Sequence, residues 1–296
     1  LYMNSEYPMW VHVKEASLNN VDADLVIIGD SRAKAGLNPK FFAAQGTEVI
    51  NLSLGGSTPI EGYFTLKNLL QNNTVEKLVI SYAPSHLSEI GSYWERTVKF
   101  DYLSPADYQE VYESSIAIGD EKTLGENNFQ DYTWKTGKYL ENLSKGIIGI
   151  RWLKNTELLE SLSQSRGHYH FGRLAMSDTP NSEARDSDLY FKVSPLVDFY
   201  FSKLLSLAQQ HQIEVYWYVM PFNQSSKRFI KPNYDVYFNK YINKLSKEYN
   251  LNIINGIHYL PDACFGDPSH IYRCTEQVSL DFLHSIYPLS KNQNVE

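Results

Sequence analysis

Three short segments carry side chains that together could run acyl transfer. The first is Gly29-Asp30-Ser31, which closes the apolar, β-branched run Asp24 to Ile28. A glycine before the serine permits a tight turn and close approach of a substrate. Ser31 is then a candidate nucleophile, and its amide a candidate oxyanion donor. The same tripeptide also reads as a helix cap, a position that Ser and Asp favour. The second segment runs from Asn51 to Ser57 and contains Gly55-Gly56. A glycine there can offer its N–H to a tetrahedral intermediate with no side chain in the way. Gly56 is the first choice and Gly55 the alternative, with Asn51 placed to hold the loop. The third is Phe265-Gly266-Asp267-Pro268-Ser269-His270. An Asp three residues before a His, on a turn, can set a carboxylate against an imidazole. His270 would take the serine proton while Asp267 fixes its tautomer.

The elements that must position these residues can be read around them. Asp24 to Ile28, Glu48 to Leu52, Lys77 to Tyr82, Ile213 to Met220 and Leu251 to Ile254 read as strands. Asn38-Pro39 reads as a helix start. Helices are expected at about 60–71, 194–211, 234–249 and 275–286. Strands separated by helices of this length predict right-handed βαβ units and a parallel sheet. The expected fold is α/β, a three-layer sandwich with about five parallel strands. The rhythm fails from about 87 to 187, a stretch rich in Tyr, Asn, Ser and Glu. It reads as a large insertion within one domain spanning 1–296, with helical runs at Trp134 to Leu143 and Ile150 to Leu162. The polar tail Ser290 to Glu296 is expected to fray. All three chemical segments then fall at the carboxyl edge of the sheet, where open α/β sheets bind ligands. Their coincidence there outweighs the bland reading of each alone.

Composition bounds the rest. The chain has 296 residues, 43% hydrophobic and 21% charged, with a net charge of -7. That acidic balance argues against a general nucleic-acid binder or an anionic-membrane binder. No run of about 18 apolar residues occurs, so no segment of this sequence reads as a membrane-spanning helix. The chain begins at Leu1 rather than Met, so a leader or anchor removed from it is expected. The 22 tyrosines among 14% aromatics suit ordinary packing, or a groove that stacks on sugar rings. The two cysteines, Cys264 and Cys274, bracket Asp267 and His270. They read as two free thiols, or as a disulfide stapling that loop and pointing to an oxidising compartment.

These segments, in this order, resemble those of the SGNH (GDSL-like) hydrolase superfamily. Gly29-Asp30-Ser31 matches its first block, Asn51 to Gly56 its second, and Asp267-Pro268-Ser269-His270 its last. The resemblance frames nearly the whole chain outside the insertion. It implies a flavodoxin-like sheet, a Ser31–His270–Asp267 triad, and an oxyanion hole from the amides of Ser31 and Gly56. One block departs. Members carry Gly-x-Asn-Asp after the third strand, but here Ser81-Tyr82-Ala83-Pro84-Ser85-His86 stands there. Loss of that Asn donor costs on the order of 3 kcal/mol of transition-state stabilisation, unless Ser81, Tyr82, Ser85 or His86 substitutes. Together with Gly-Asp-Ser-Arg-Ala-Lys and the insertion, the departure is similar to the extracytoplasmic polysaccharide O-acetyltransferase branch. That branch includes the alginate, peptidoglycan and secondary-polymer acetylation proteins and the teichoic acid D-alanylation protein. It implies acyl transfer to a glycan hydroxyl, a donor supplied by a membrane-bound O-acyltransferase, and neither metal nor cofactor. Ester hydrolysis and an idle glycan-binding scaffold remain the alternatives.

Other residues carry two readings each. Arg32 could steer an anionic glycan or hold its loop by a salt bridge, and Tyr82 and His86 are candidate substrate contacts. His168-Tyr169-His170 resembles a metal pair, but no third ligand is near, so a surface or groove role is preferred. His258 and His284 read as structural. Met220-Pro221-Phe222 could line an acyl pocket or fill the core. The cysteine reading is checked by intact mass with and without reductant. A bridge adds about two hydrogens on reduction, and an unchanged mass would mean free thiols.

Overall fold

In the computed structural model, residues 4–88, 91–124, 151–173 and 178–287 are described. In chain order the strands are β1 (Leu25–Gly29), β2 (Val49–Asn51), β3 (Lys77–Ser81), β4 (Glu214–Trp217), β5 (Phe222–Asn223), β6 (Asn252–Ile253) and β7 (Tyr259–Leu260). The central sheet has five strands, all parallel, in the order β2-β1-β3-β4-β6. β5 and β7 form a separate two-stranded ribbon that the sequence reading did not foresee.

The described helices longer than one turn are α1 (Tyr7–Leu18), α2 (Ser31–Gly36), α3 (Pro39–Ala43), α4 (Pro59–Leu69), α5 (Gly91–Lys99), α6 (Pro105–Ile118), α7 (Arg151–Gln164), α8 (Pro195–Gln210), α9 (Pro232–Tyr249) and α10 (Thr275–Ile286). The expected elements match within a few residues. α1 was missed: its buried Trp10 and Val13 carry no clear amphipathic stripe to mark it. The expected helix at Trp134 to Leu143 and the tail from Ser290 lie outside the described residues.

Alternation along the strands makes the three layers, because successive side chains point to opposite faces. Val26 and Ile28 of β1, Leu78 and Ile80 of β3, and Trp217 of β4 join one core, with Phe64 of α4 and Phe201 of α8. Leu25, Ile27, Val79 and Tyr216 join the other, with Phe42 of α3 and Phe282 of α10. Both faces being covered, β1 is buried along its length, as a continuous apolar run requires.

The strand order places a switch point between β1 and β3, since the chain leaves β1 for β2 on one side and reaches β3 on the other. Ligands bind outside such a point in doubly wound sheets. The strands meet closely there. Gly29 pairs in register with Ser81, and any Cβ at Gly29 would collide with the Ser81 carbonyl.

The 87–187 stretch is built into this frame. Trp94, Val98, Tyr108 and Val111 of α5 and α6 lie in the same core as β1. Beyond α7 the chain lies along the outer edge of β2. The Asn51 amide donates to the Arg166 carbonyl at 2.9 Å, and Arg166 Nε donates to the Val49 carbonyl at 2.7 Å. An edge that would otherwise be open is thereby paired.

Lys34 locks this crossing to the centre. It lies one turn past Ser31 and is completely buried. Its Nζ donates to the carbonyls of Ser53 and Gly167, both at 2.8 Å. Burial pushes its pKa down from 10.5 to about 7. A neutral amine has two N–H groups for these two carbonyls, whereas an ammonium has a third to satisfy. Burial holds its neighbours His12 and His168 neutral, with pKa values of about 4 and about 3, helped by Lys34 at His12 and chiefly by His170 at His168. The unfolded lysine keeps its proton to higher pH than the folded one, so folding stability rises as pH rises above 7. Wild-type protein is expected to gain about 2–3 kcal/mol from Lys34 between pH 7 and 9. Unfolding midpoints across that range check this, and Lys34→Met should flatten the rise.

Candidate active site

The site grows from the end of β1. Asp30 caps α2, its carboxylate accepting the amides of Arg32 at 2.8 Å and Ala33 at 3.4 Å. The other carboxylate oxygen accepts the Ala83 amide at 2.7 Å. Ser31 is therefore the first residue of the helix, fixed from both sides, so the cap and nucleophile readings belong to adjacent residues and do not compete.

The structure brings Ser31, His270 and Asp267 together. Ser31 Oγ lies 2.8 Å from His270 Nε2. With the proton on Nδ1, His270 donates to Asp267, at 2.9 Å to Oδ2 and 3.0 Å to Oδ1. Asp267 Oδ1 also accepts the amides of Ser269 and His270, each at 2.8 Å. Burial opposes the Asp267 charge, but His270 and these amides outweigh it and hold the carboxyl below its ordinary range. Cys264 is bonded to Cys274, which closes the loop carrying both residues.

The second segment lies against Ser31. Asn51 Nδ2 donates to the carbonyls of Ala33 and Leu37, at 2.9 and 2.8 Å, and its Oδ1 accepts the Ser53 amide at 3.1 Å. The loop is thus fastened to α2. A Cβ at Gly55 would stand 3.9 Å from Ser31 Cβ, and Gly56 has a φ of +74° that other residues rarely adopt. Among the described residues, the amides of Ser31, Gly55 and Gly56 have no protein acceptor. Three N–H groups in this loop and at this helix start are therefore available to an oxyanion.

Phe171 of the insertion stacks on His270, with ring centroids 4.6 Å apart and planes 27° apart. The next residue touches the carboxylate: a Cβ at Gly172 would collide with Asp267, so only glycine lets the insertion close here. The sequence reading found neither residue. Arg96 is a further omission, its side chain lying over the Cα of Gly56 and its Nε 3.2 Å from Glu6.

The proposed substrate contacts need correction. Tyr82 is wholly buried, with its hydroxyl turned in against Gly62 of α4. His86 is buried too. Its Nδ1 lies 2.6 Å from the Ser57 carbonyl, and its ring stacks on Tyr93 at 4.2 Å. Its Nε2 is 3.7 Å from Asp30 and 3.6 Å from Glu183. Burial opposes the charged ring, but Asp30 and Glu183 outweigh it and raise the pKa. Arg32 takes the salt-bridge reading: it is buried, paired with Glu183, and its guanidinium lies 4.3 Å from the Phe222 ring centre. Their positions just after β1 and β3 located these residues near the site, but could not tell a solvent-facing side chain from one turned inward.

The remaining readings resolve toward packing. Met220 fills the core beside Gly36, and Phe222 lies under Arg32. His168 donates from Nε2 to the Ala35 carbonyl at 3.0 Å and meets His170 edge to face. His258 lies 3.1 Å from the Gly256 carbonyl, and His284 is exposed. Among the described residues, no cluster of three or more His, Cys, Asp or Glu side chains is arranged to hold a metal.

No family model matches the chain, and no curated protein matches it. A solved structure described as "a putative platelet activating factor from Streptococcus pneumonia" aligns with 94% of this chain and 92% of its own. The identity is 10% and the TM-score 0.39.

Glu183, itself partly exposed, is the carboxylate that faces the buried Arg32 and His86. Arg32 and His86 hold its carboxyl well below the usual range, against the effect of burial. Glu183→Ala would leave a buried guanidinium without its partner. A loss of about 3 kcal/mol is expected, measured by urea denaturation, and a change under about 0.5 kcal/mol would mean the pair is incidental.

Proposed function

We propose that this chain is a serine-dependent acyl-transfer enzyme with an SGNH-type site. The observation that carries the reading is the continuous chain from Ser31 through His270 to Asp267, with bonds of 2.8 and 2.9 Å. Ser31 Oγ attacks the acyl carbonyl as His270 Nε2 takes its proton. The carbonyl oxygen becomes an oxyanion, held by the amides of Ser31 and Gly56. Collapse expels the leaving group, which takes the proton from His270, and leaves acyl-Ser31. A second hydroxyl then gives its proton to His270 and attacks the acyl carbon. Ser31 departs with that proton, and the acyl group rests on the acceptor. Asp267 stays ionised throughout and steadies the imidazolium.

The same residues serve a sugar hydroxyl or water as the second nucleophile. We favour transfer to an extracytoplasmic or cell-wall polysaccharide, from a donor supplied by a membrane-bound O-acyltransferase. The support is the sequence resemblance to that branch, together with the departure at Ser81 to His86. The Cys264–Cys274 bridge suits an oxidising, extracytoplasmic compartment, and anchoring to the membrane there is part of the same proposal. Esterase or deacetylase activity is the second reading, favoured by the solvent access that His270 and Asp267 retain. An idle scaffold has no use for an aligned triad.

Hydrolysis of p-nitrophenyl acetate tests the site. Ser31→Ala is expected to abolish turnover, and Asp267→Asn to lower kcat by about 10⁴. Equal rates in wild type and Ser31→Ala would overturn the enzyme reading. Mass spectrometry of an oligosaccharide acceptor in excess then separates the two fates, since free acetate alone would mean an esterase.

A further inference from the structure

We propose that a polar pocket on the Glu183 side of Arg32, walled by Ser85, Tyr93, Glu183, Asp188, Tyr190 and Tyr234, is a subsite for a neutral sugar residue of the acyl acceptor. This rests on the acyl-transfer reading and names where its acceptor is held. The pocket encloses about 190 Å³. That is below the roughly 300–1,000 Å³ of sites for drug-sized ligands, and suits one small polar group rather than a long acyl chain.

Position is the first argument. Ser85 follows β3, whose last residue pairs with Gly29 at the switch point. Glu183, in the same wall, holds Arg32, the residue after Ser31. The pocket therefore belongs to the edge of the sheet where the nucleophile stands.

Its chemistry is the second argument. Serine and tyrosine hydroxyls line the wall, and Asp188 and Lys192 stand at its exposed rim. Neither of these two makes a hydrogen bond or ion pair with another described residue. A carboxylate can accept from sugar hydroxyls, and an ammonium can donate to their oxygens. Glu183 and Asp186 add negative charge, compensated by Arg32 and Arg185. With those two carboxylates paired, the free charges are one carboxylate, Asp188, and one ammonium, Lys192, so the pocket carries no net positive charge to hold a uronate.

The mouth supplies the third argument. Tyr190 meets Tyr237 edge to face at 5.0 Å, and the two rings are 46% and 48% exposed. Leu189 and Val236 extend this uncovered apolar strip. Exposed tyrosines beside a hydroxyl-lined pocket match the two sides of a pyranose, a C–H face for the rings and hydroxyls for the polar wall.

Saturation-transfer NMR on Ser31→Ala protein, which holds acceptor without turnover, tests this. The probes are cellotetraose, maltotetraose, chitotetraose and a mannuronate tetramer. Binding of at least one neutral probe is expected, with Kd raised about tenfold by Asp188→Ala or Tyr190→Ala. Lys247→Ala, on the far part of α9, should leave it unchanged. Melting curves of the variants guard against misfolding. No binding by any probe, preference for the mannuronate, or neutral binding indifferent to both substitutions would overturn the subsite. Failure of the acyl-transfer reading appears separately, as ester hydrolysis that survives Ser31→Ala.

Discussion

Everything at the candidate site hangs from one buried carboxylate. Asp30 has no exposed surface, yet it accepts backbone amides from α2 and from the turn after β3. A buried anion is costly unless its lone pairs are filled, and these amides fill them. The same bonds fix where Ser31 begins its helix and how β1 and β3 diverge. His86 stands 3.7 Å away and carries the constraint to Ser57, at the end of the oxyanion loop. Nucleophile and oxyanion donors therefore share a single reference point.

The insertion is the second support. It pairs with the edge of β2, meets Lys34 through Gly167, and reaches Asp267 and His270 through Phe171 and Gly172. Then, at Glu183, it turns back to Arg32. These contacts clamp the nucleophile helix and the Asp-His loop against each other. The triad is thus held from outside the sheet as well as by it.

Much of this was legible in the sequence, for a physical reason. Ser31, Asn51, Gly56, Asp267 and His270 sit in short segments whose local chemistry, turns and caps, shows in neighbouring residues. The strands were legible because burial on both faces leaves continuous apolar runs. What escaped depends on contacts far apart in the chain. Glu183 follows an ordinary Asn181 cap, and nothing nearby announces Arg32. Phe171 reads as one aromatic among many until it lies on His270. Tyr82 and His86 were assigned outward because a position after a strand does not reveal which way its side chain turns. Lys34 is the extreme case, a residue type expected at the surface and found with none of it exposed.

The hydrogen bond between Ser31 and His270 joins positions 239 residues apart. Synthesis therefore delivers the serine well before the histidine. Until the Asp267–His270 loop docks, Ser31 has no imidazole beside it, so the proposed chemistry could not begin on a half-made chain. Chemical competence, on that proposal, would rest on a contact of long sequence separation, the kind that is slow for a chain to find. On the acyl-transfer proposal, reactivity would be a certificate that the fold is complete.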